Sequence, residues 1–323
     1  MRFIDLFAGI GGFRLALERA GHKCIGFCEI DKFARQTYKA NFDTEGEVEW
    51  HDITIVTDED VRQLGSVDII TGGFPCQAFS IAGKRGGFED TRGTLFFEIA
   101  RIARILKPKY LLLENVKGLL NHSGGTTFAT ILNTLGELGY WVEWQILNSK
   151  DFGVPQNRER VFIVGHLGGE PRRKVFPITR TSGQALKQLI GGQQGYRVYD
   201  PSGTSVTLAS QAGGMGAKTG LYAVPVLTPD RLNKRQDGRR FKEPGEPMFT
   251  LTSQDRHGVM VSRKLYNDIR IRRLTPLECF RLQGFPDEFF HRAKAAGVSD
   301  SQLYKQAGNA VTVNVVYEIA KRL

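Results

Sequence analysis

The stretch "RFIDLFAGIGG", residues 2 to 12, decides the fold. It is a short apolar run that ends in a turn containing Gly9, Gly11 and Gly12. An amphipathic stretch follows, and its apolar positions are Phe13, Leu15, Leu17 and Ala20. A strand, a glycine-rich turn and a helix in this order are typical of the first half of a β-α-β unit. The glycines also allow a ligand to approach the backbone of the turn closely.

The same alternation continues to about residue 167. Strand-like segments are "KCIGFCEI", "VDIITGG", "YLLLENV", "YWVEWQILN" and "RVFIVGHL". Helical segments are "DKFARQTYKANF", "TLFFEIARIARILK" and "FATILNTLGELG". Asp31 is predicted to cap one of these helices, and Pro108 to stop another. The pattern predicts an α/β, Rossmann-like fold: a mostly parallel sheet with helices on both faces.

The chain changes character near residue 168, where long helical patterns give way to short strands and loops. Residues 168–275 contain 19 Lys and Arg against 8 Asp and Glu, whereas the remainder contains 25 against 26. The net charge of +10 is therefore concentrated in this third, which we call the basic region. Concentrated positive charge favours polyanion binding, with a solvated basic surface as the alternative. We predict three parts: 1–167, 168–275 and 276–323, the last ending in a helix.

Two other features exclude broad classes of function. The four cysteines, Cys24, Cys28, Cys76 and Cys279, lack the paired spacing of a zinc site, so no metal is expected. The sequence has neither a signal-peptide pattern nor an apolar run long enough to span a bilayer. We therefore expect a cytoplasmic protein without disulfides and without a membrane partner.

The ends of the first two strands predict a nucleoside-binding site. "CEID", residues 28 to 31, places Glu29 at the end of the second strand. An acid there can bind both hydroxyls of an adenosine ribose. The spacing G-x-G-G differs from the dinucleotide fingerprint G-x-G-x-x-G, which favours a cofactor without a pyrophosphate. A packing turn is the alternative for the glycines alone.

The stretch "GGFPCQAFS", residues 72 to 80, places Cys76 after the strand segment "VDIITGG", at the edge where open α/β sheets bind ligands. Its position in a loop favours a nucleophile over a structural thiol. "ENV" places Glu114 at the same edge, and "QNRER" supplies Arg158 and Arg160. A thiol, an acid and two guanidiniums can attack and polarise a heteroaromatic ring. A strand-end salt bridge for Glu114 and a solvated pair for the arginines are the alternatives.

Five motifs in order carry a resemblance: "DLFAGIGG", "GFPCQAFS", "ENV", "QNRER" and "AGNAV". Together they resemble the motif set of DNA cytosine-5 methyltransferases of the short bacterial restriction–modification type. The resemblance covers nearly the whole chain. It implies S-adenosylmethionine as cofactor, a catalytic and cofactor-binding domain over 1–167, and a small target-recognition domain over 168–275. The last helix of 276–323 is then expected to return to the catalytic domain.

The resemblance also implies roles for the catalytic residues. Cys76 resembles the nucleophile that adds to C6 of a flipped cytosine in double-stranded DNA. Glu114 resembles the acid that contacts N3 and the exocyclic amine. Arg160 resembles the contact to O2, and Arg158 a residue that supports the site. The base that removes the C5 proton has no counterpart among the motifs.

Cofactor residues follow in the same way. Phe7 resembles the ring beside the adenine, Gly9 and Gly11 the turn at the methionine end, and Glu29 the ribose ligand. The other positions expected to line the cofactor are Ile30, Asp52, Ile53, Pro75, Leu95, Asn309 and Ala310.

DNA contacts are implied in two places. The glycine-rich loop over residues 78–92 is suited to closing over DNA, and "GGQQGYRVY" resembles a recognition loop. Gln194 would fill the space left by the flipped base, and Arg197 is suited to guanine readout. The expected DNA-binding residues are Gln77, Ser80, Gln194, Arg197, Thr207 and Lys218. The chain departs from relatives at Ala82, where some have serine, and in an extra stretch around 223–262.

Three alternatives are open. A tRNA cytosine-5 methyltransferase has the same catalytic domain, but its Cys-Phe-Thr signature is here Cys279, Phe280 and Arg281. A catalytically silent DNA-binding relative would normally lack Cys76 or Glu114. A nicotinamide oxidoreductase disagrees with the glycine spacing. We expect a monomer from a bacterium or phage, and the sequence leaves open whether a cognate restriction endonuclease is encoded elsewhere.

Overall fold

The computed structural model describes residues 1–75, 95–179, 188–190, 198–199, 221–227, 242, 246–251, 257–262 and 269–323. The strands of the first sheet are β1 Arg2–Leu6, β2 Lys23–Cys28, β3 Val48–Trp50, β4 Ile69–Gly73, β5 Tyr110–Val116, β6 Tyr140–Asn148 and β7 Glu159–Leu167. Their order is β3-β2-β1-β4-β5-β7-β6. β1 to β5 run parallel, and β7 is antiparallel to both β5 and β6. The predicted mostly parallel sheet is confirmed.

Helices cover both faces of this sheet. They are α1 Gly12–Arg19, α2 Lys32–Asn41, α3 Asp58–Gln63, α4 Leu95–Leu106, α5 Thr126–Glu137, α6 Pro276–Leu282, α7 Asp287–Ala295, α8 Asp300–Asn309 and α9 Val313–Ala320. Successive strand residues alternate between two cores: Ile70 packs with α3, α4 and α5, whereas Ile69 packs with α1 and α9. Burial on both faces explains why the strands read as nearly continuous apolar runs.

Two local predictions about helix ends are also confirmed. Asp31 Oδ1 accepts hydrogen bonds from the backbone N–H groups of Phe33 (2.8 Å) and Ala34 (3.2 Å), so it caps α2. α4 ends at Leu106, just before Pro108. The capped start of α2 therefore lies three residues beyond the end of β2, at the carboxyl edge of the sheet.

A second sheet lies within the basic region. Its strands are β8 Gln188–Ile190, β9 Val198–Tyr199, β10 Leu221–Leu227, β11 His257–Ser262 and β12 Ile269–Arg273, in the order β12-β11-β10-β9-β8. Other parts of this region contact the first sheet and the helices packed on it. Glu143 on β6 accepts backbone hydrogen bonds from Val175 (2.8 Å) and Phe176 (3.0 Å). Met248 and Leu251 are buried in the core that contains α1 and α9. The three-part division of the chain stays a prediction.

Within these ranges, no helix is both long and apolar enough to cross a membrane. The described residues also contain no group of His, Cys, Asp and Glu that could hold a metal ion. Cys24, Cys28 and Cys279 are buried free thiols, and Cys76 lies outside the described residues.

Candidate active site

A cavity of about 500 Å³ opens at the carboxyl edge of the first sheet. The ends of β1, β2, β4 and β5 form its floor, and the start of α2 and the end of α8 form part of its rim. This is the edge at which open α/β sheets bind ligands. The sequence-predicted residues that line it are Phe7, Gly9, Glu29, Ile30, Asp52, Ile53, Pro75, Leu95, Glu114, Arg158, Arg160, Asn309 and Ala310.

Gly11 is not among the residues that line the cavity. It has φ +86°, and a Cβ atom at this position would lie 2.2 Å from the ring of Phe42. The structure therefore places Gly11 in the packing of the turn against α2. The other predicted site residues lie outside the described residues; they are Cys76, Gln77, Ser80, Gln194, Arg197, Thr207 and Lys218.

Glu29 and the turn after β1 form a polar cradle. The backbone N–H of Gly9 donates to Glu29 Oε2 (2.8 Å), and that of Asp31 donates to Oε1 (2.7 Å). Gly9 has φ +55°, and no described atom lies within 4 Å of where its Cβ would be. Burial raises the pKa of Glu29, opposed by these two backbone hydrogen bonds. Each carboxylate oxygen is thus fixed and can accept a further hydrogen bond, which suits a diol.

The rim near β3 combines an ionised acid with an apolar surface. Asp52 Oδ1 accepts hydrogen bonds from the backbone N–H (2.9 Å) and hydroxyl (2.7 Å) of Thr54. The hydroxyl bond is the larger cause of the lowered pKa of Asp52. Ile53 is buried, whereas Ile30 is 68% exposed. An exposed aliphatic side chain beside a polar acceptor suits a ligand ring that carries an amine.

Glu114 and Arg160 form an ion pair inside the cavity. Arg160 Nε lies 3.0 Å from Glu114 Oε1, and the side chains are only 15% and 12% exposed. Gly73 on β4 is opposite Glu114, and a Cβ there would lie 3.3 Å from Glu114 Oε2. Burial raises the pKa of Glu114, and Arg160 and then Arg158 counteract this. The strand-end salt bridge, our alternative for Glu114, is thus present, and it faces the cavity.

Arg158 is not a solvated charge. It is 2% exposed, and its guanidinium donates to the carbonyl oxygens of Leu251 (2.9 Å), Gly308 (3.2 Å) and Ala310 (2.8 Å). Burial, and secondly Arg160, lower its pKa to about 9. It therefore remains protonated at neutral pH.

The structure adds residues that the sequence did not single out. Asn115 Nδ2 donates to the carbonyl of Phe74 (2.8 Å), which positions the chain just before Pro75. Lys305 Nζ lies 2.7 Å from Asp31 Oδ2, and both residues line the cavity. Asn115 sits within "ENV", so a polar residue at the end of a buried strand was the available signal.

Comparison with known proteins agrees with this geometry. The family model of C-5 cytosine-specific DNA methylases matches residues 1–323. The type II methyltransferase M.HpaII of Haemophilus parainfluenzae is 40% identical, over 99% of this chain and 88% of that protein. The orphan methyltransferase M.SPRI of Bacillus phage SPR is 36% identical, over 100% and 97%.

The fold is similar to that of solved methyltransferases. The crystal structure of S. pombe Dnmt2 matches with a TM-score of 0.65 at 19% identity, covering 98% of this chain and 96% of that one. The resemblance stated from the five motifs is confirmed. The chain belongs to the C-5 cytosine-specific DNA methylase family and is a DNA (cytosine-5) methyltransferase.

Proposed function

We propose that this enzyme methylates C5 of a flipped cytosine within a specific short sequence of double-stranded DNA, with S-adenosylmethionine as methyl donor and a covalent Cys76–C6 intermediate. One observation carries the proposal. The Glu114–Arg160 pair and the Glu29 cradle line the same cavity, whose wall includes Pro75, the residue directly before Cys76. A base and a nucleoside cofactor bound in this cavity would therefore meet beside the nucleophile.

The cavity suits S-adenosylmethionine, which supplies a sulfonium methyl group when bound. Glu29 would accept hydrogen bonds from the ribose hydroxyls, and Asp52 with Ile30 and Ile53 would hold the adenine. The open space at Gly9 leaves room for the methionine end. The remaining residues proposed to contact the cofactor are Phe7, Pro75, Leu95, Asn309 and Ala310.

The chain's own residues account for activation of the cytosine. The Cys76 thiolate adds to C6, and the electron pair of the C5–C6 bond becomes available at C5 and, by delocalisation, at N3. Because burial raises its pKa, Glu114 is suited to donating a proton toward N3, while Arg160 donates to O2. C5 is then the methyl acceptor. Loss of the C5 proton to a base expels the thiolate and restores the ring.

DNA must present the cytosine outside the helix, because C6 is inaccessible within the base stack. We assign Gln194 to the space left by the flipped base and Arg197 to guanine readout. Gln77, Ser80, Thr207 and Lys218 are further proposed DNA contacts. The basic region would supply phosphate contacts. The monomeric state and a cognate endonuclease remain predictions, and light scattering after gel filtration would test the first.

Methyl-transfer assays test the proposal. Tritium from S-adenosylmethionine should appear in duplex DNA and not in tRNA. Bisulfite sequencing locates the target cytosine. Duplex DNA with 5-fluorocytosine at that position should form an adduct with the enzyme that resists denaturation. This adduct should require both Cys76 and S-adenosylmethionine. Transfer to tRNA alone would refute the DNA assignment. Transfer to DNA without the adduct would refute covalent catalysis at C6.

A further inference from the structure

The segment 246–251 of the basic region is aligned along the residues that lead into β7. Met248 N–H donates to the Pro155 carbonyl, and Asn157 N–H donates to the Met248 carbonyl, both at 2.8 Å. Gln156 and Met248 form an isolated parallel bridge. The Thr250 hydroxyl donates to the Asn157 carbonyl (2.6 Å). The basic region is thus hydrogen-bonded to residues 155–157, which directly precede Arg158 and β7.

Leu251 is held at both of its backbone polar groups. Its N–H donates to Gln156 Oε1 (3.1 Å), and its carbonyl accepts from Arg158 (2.9 Å). Leu251 is 2% exposed, and β11 of the second sheet begins at His257, six positions later. A shift of the second sheet toward or away from DNA would therefore act on Leu251 with little intervening chain.

The second terminal nitrogen of the Arg158 guanidinium, Nη2, binds backbone carbonyls in the cavity wall. It donates to the carbonyls of Gly308 and Ala310, which line the cavity with Asn309. A planar guanidinium fixes the directions of its donors, so these carbonyls and that of Leu251 are constrained relative to one another. In the described structure the partners of this buried cation are carbonyl groups, which solvate its charge only partly. Burial opposes the charge of Arg158, and the nearby carboxylate of Glu114 favours it.

We propose that Arg158 is a positioning residue that couples DNA binding by the basic region to cofactor binding in the cavity, by holding Leu251 and residues 308–310 in one arrangement. The inference rests on the proposed function. DNA binding should order residues 308–310 before the cofactor arrives, and the cofactor should in turn favour the DNA-bound position of Leu251. The coupling is reciprocal, as thermodynamic linkage requires.

Titration calorimetry measures this coupling. The probe is S-adenosylhomocysteine, which binds without turnover. Its Kd is compared with and without saturating duplex DNA that contains the sequence which the enzyme methylates. In the wild type, DNA should lower the Kd by at least about 5-fold, the lower end of typical couplings. In Arg158→Lys the ratio of the two Kd values should fall to one. An ammonium group keeps the positive charge but lacks the fixed, forked donors with which the guanidinium binds both sets of carbonyls.

Thr250→Val is the matched control. It removes a hydrogen bond from the same segment and leaves the link from Leu251 to residues 308–310 intact. It should retain the wild-type ratio. Equal loss of coupling in Thr250→Val would show that docking of the segment, rather than Arg158, carries the effect, and would overturn the inference.

Hydrogen exchange of the wild-type enzyme gives a second test that does not depend on the variant folding. DNA alone should increase protection at residues 308–310. Three outcomes would each overturn the inference. They are unchanged protection at residues 308–310, a Kd ratio of one in the wild type, and a Kd ratio in Arg158→Lys equal to that of the wild type. If the wild type bound no S-adenosylhomocysteine at all, the proposed function would fail as well, so the two failures are distinguishable.

Discussion

The cavity has two walls that are built in different ways. The wall formed by β1 and β2 is assembled from short-range contacts, since Gly9 and Glu29 are separated by 20 positions. The wall formed by β5 and β7 depends on Arg158, whose partners lie 93 to 152 positions away. The first wall presents carboxylate hydrogen-bond acceptors, which suit a neutral diol. The second concentrates buried titratable side chains, with Arg160 paired to Glu114.

We propose that this difference separates binding of the cofactor from reaction at the cytosine. A ribose needs fixed acceptors, which a turn and a strand end provide locally. A ring on which charge develops needs charged groups held in a buried place, and these require support from several chain segments. Substitutions in the β1–β2 wall should therefore change cofactor affinity, whereas those in the β5–β7 wall should change the rate of the chemical step.

The largest effect is expected for Cys76→Ser. A serine hydroxyl is far less ionised than a thiol at neutral pH, so methyl transfer should fall below detection while DNA binding persists. Cys279→Ala is the control, because burial raises the pKa of Cys279 to about 12 and keeps it a thiol within the core. Single-turnover assays with tritiated cofactor measure both. Substantial turnover by Cys76→Ser would refute the nucleophile assignment.

Glu114→Gln should have the next largest effect. It keeps the shape of the side chain but removes the acid, and loss of general acid catalysis typically lowers kcat by about 10²- to 10⁴-fold. Glu159→Gln is matched to it, since Glu159 lies on β7 and pairs with the exposed Lys117. Cofactor affinity should be nearly unchanged in both variants. A Glu114→Gln enzyme with unchanged kcat and weakened cofactor binding would break the division between the two walls.

Glu29→Gln should weaken cofactor binding by about 10- to 150-fold, because hydrogen bonds to a charged acceptor are worth about 1.5–3 kcal/mol. Glu29 also predicts a pH dependence. Its pKa is raised above 4.5 by burial, so acidification should protonate it, and weaken binding, at a higher pH than for an ordinary glutamate. Calorimetry against pH checks both statements, with exposed Glu45→Gln as control. A wild-type affinity independent of pH down to that ordinary value would contradict the second.

Lys305→Met should have the smallest effect. Its ion pair with Asp31 joins the two sides of the cavity rim, but the side chains are 47% and 26% exposed. Such pairs contribute about 0.2–1 kcal/mol, so the free energy of unfolding in urea should fall by no more than this. A much larger loss would mean that the rim, like the buried Arg158, is a structural link between the walls.

Much of the site could be predicted because its residues stand at strand ends. Phe7, Gly9, Glu29 and Glu114 follow or end apolar runs, and parallel strands bring such positions to one edge. Gly11 shows the limit of this reasoning. It belongs to the same glycine-rich turn, yet it packs against the ring of Phe42, which comes from a segment 31 positions away and is not indicated by the local motif.

The amino-acid sequence alone indicated six of the seven strands of the first sheet, the helix ends at Asp31 and Pro108, and the family. These depend on periodicity, capping and motif order, which are local along the chain. Only the tertiary structure decided that Glu114 pairs with Arg160, that Arg158 is buried, and that it joins Leu251 to residues 308–310. The physical reason is that the partners of a buried charge are chosen by packing. Backbone carbonyls from distant segments solvate Arg158, and a carbonyl group has no signature in the sequence.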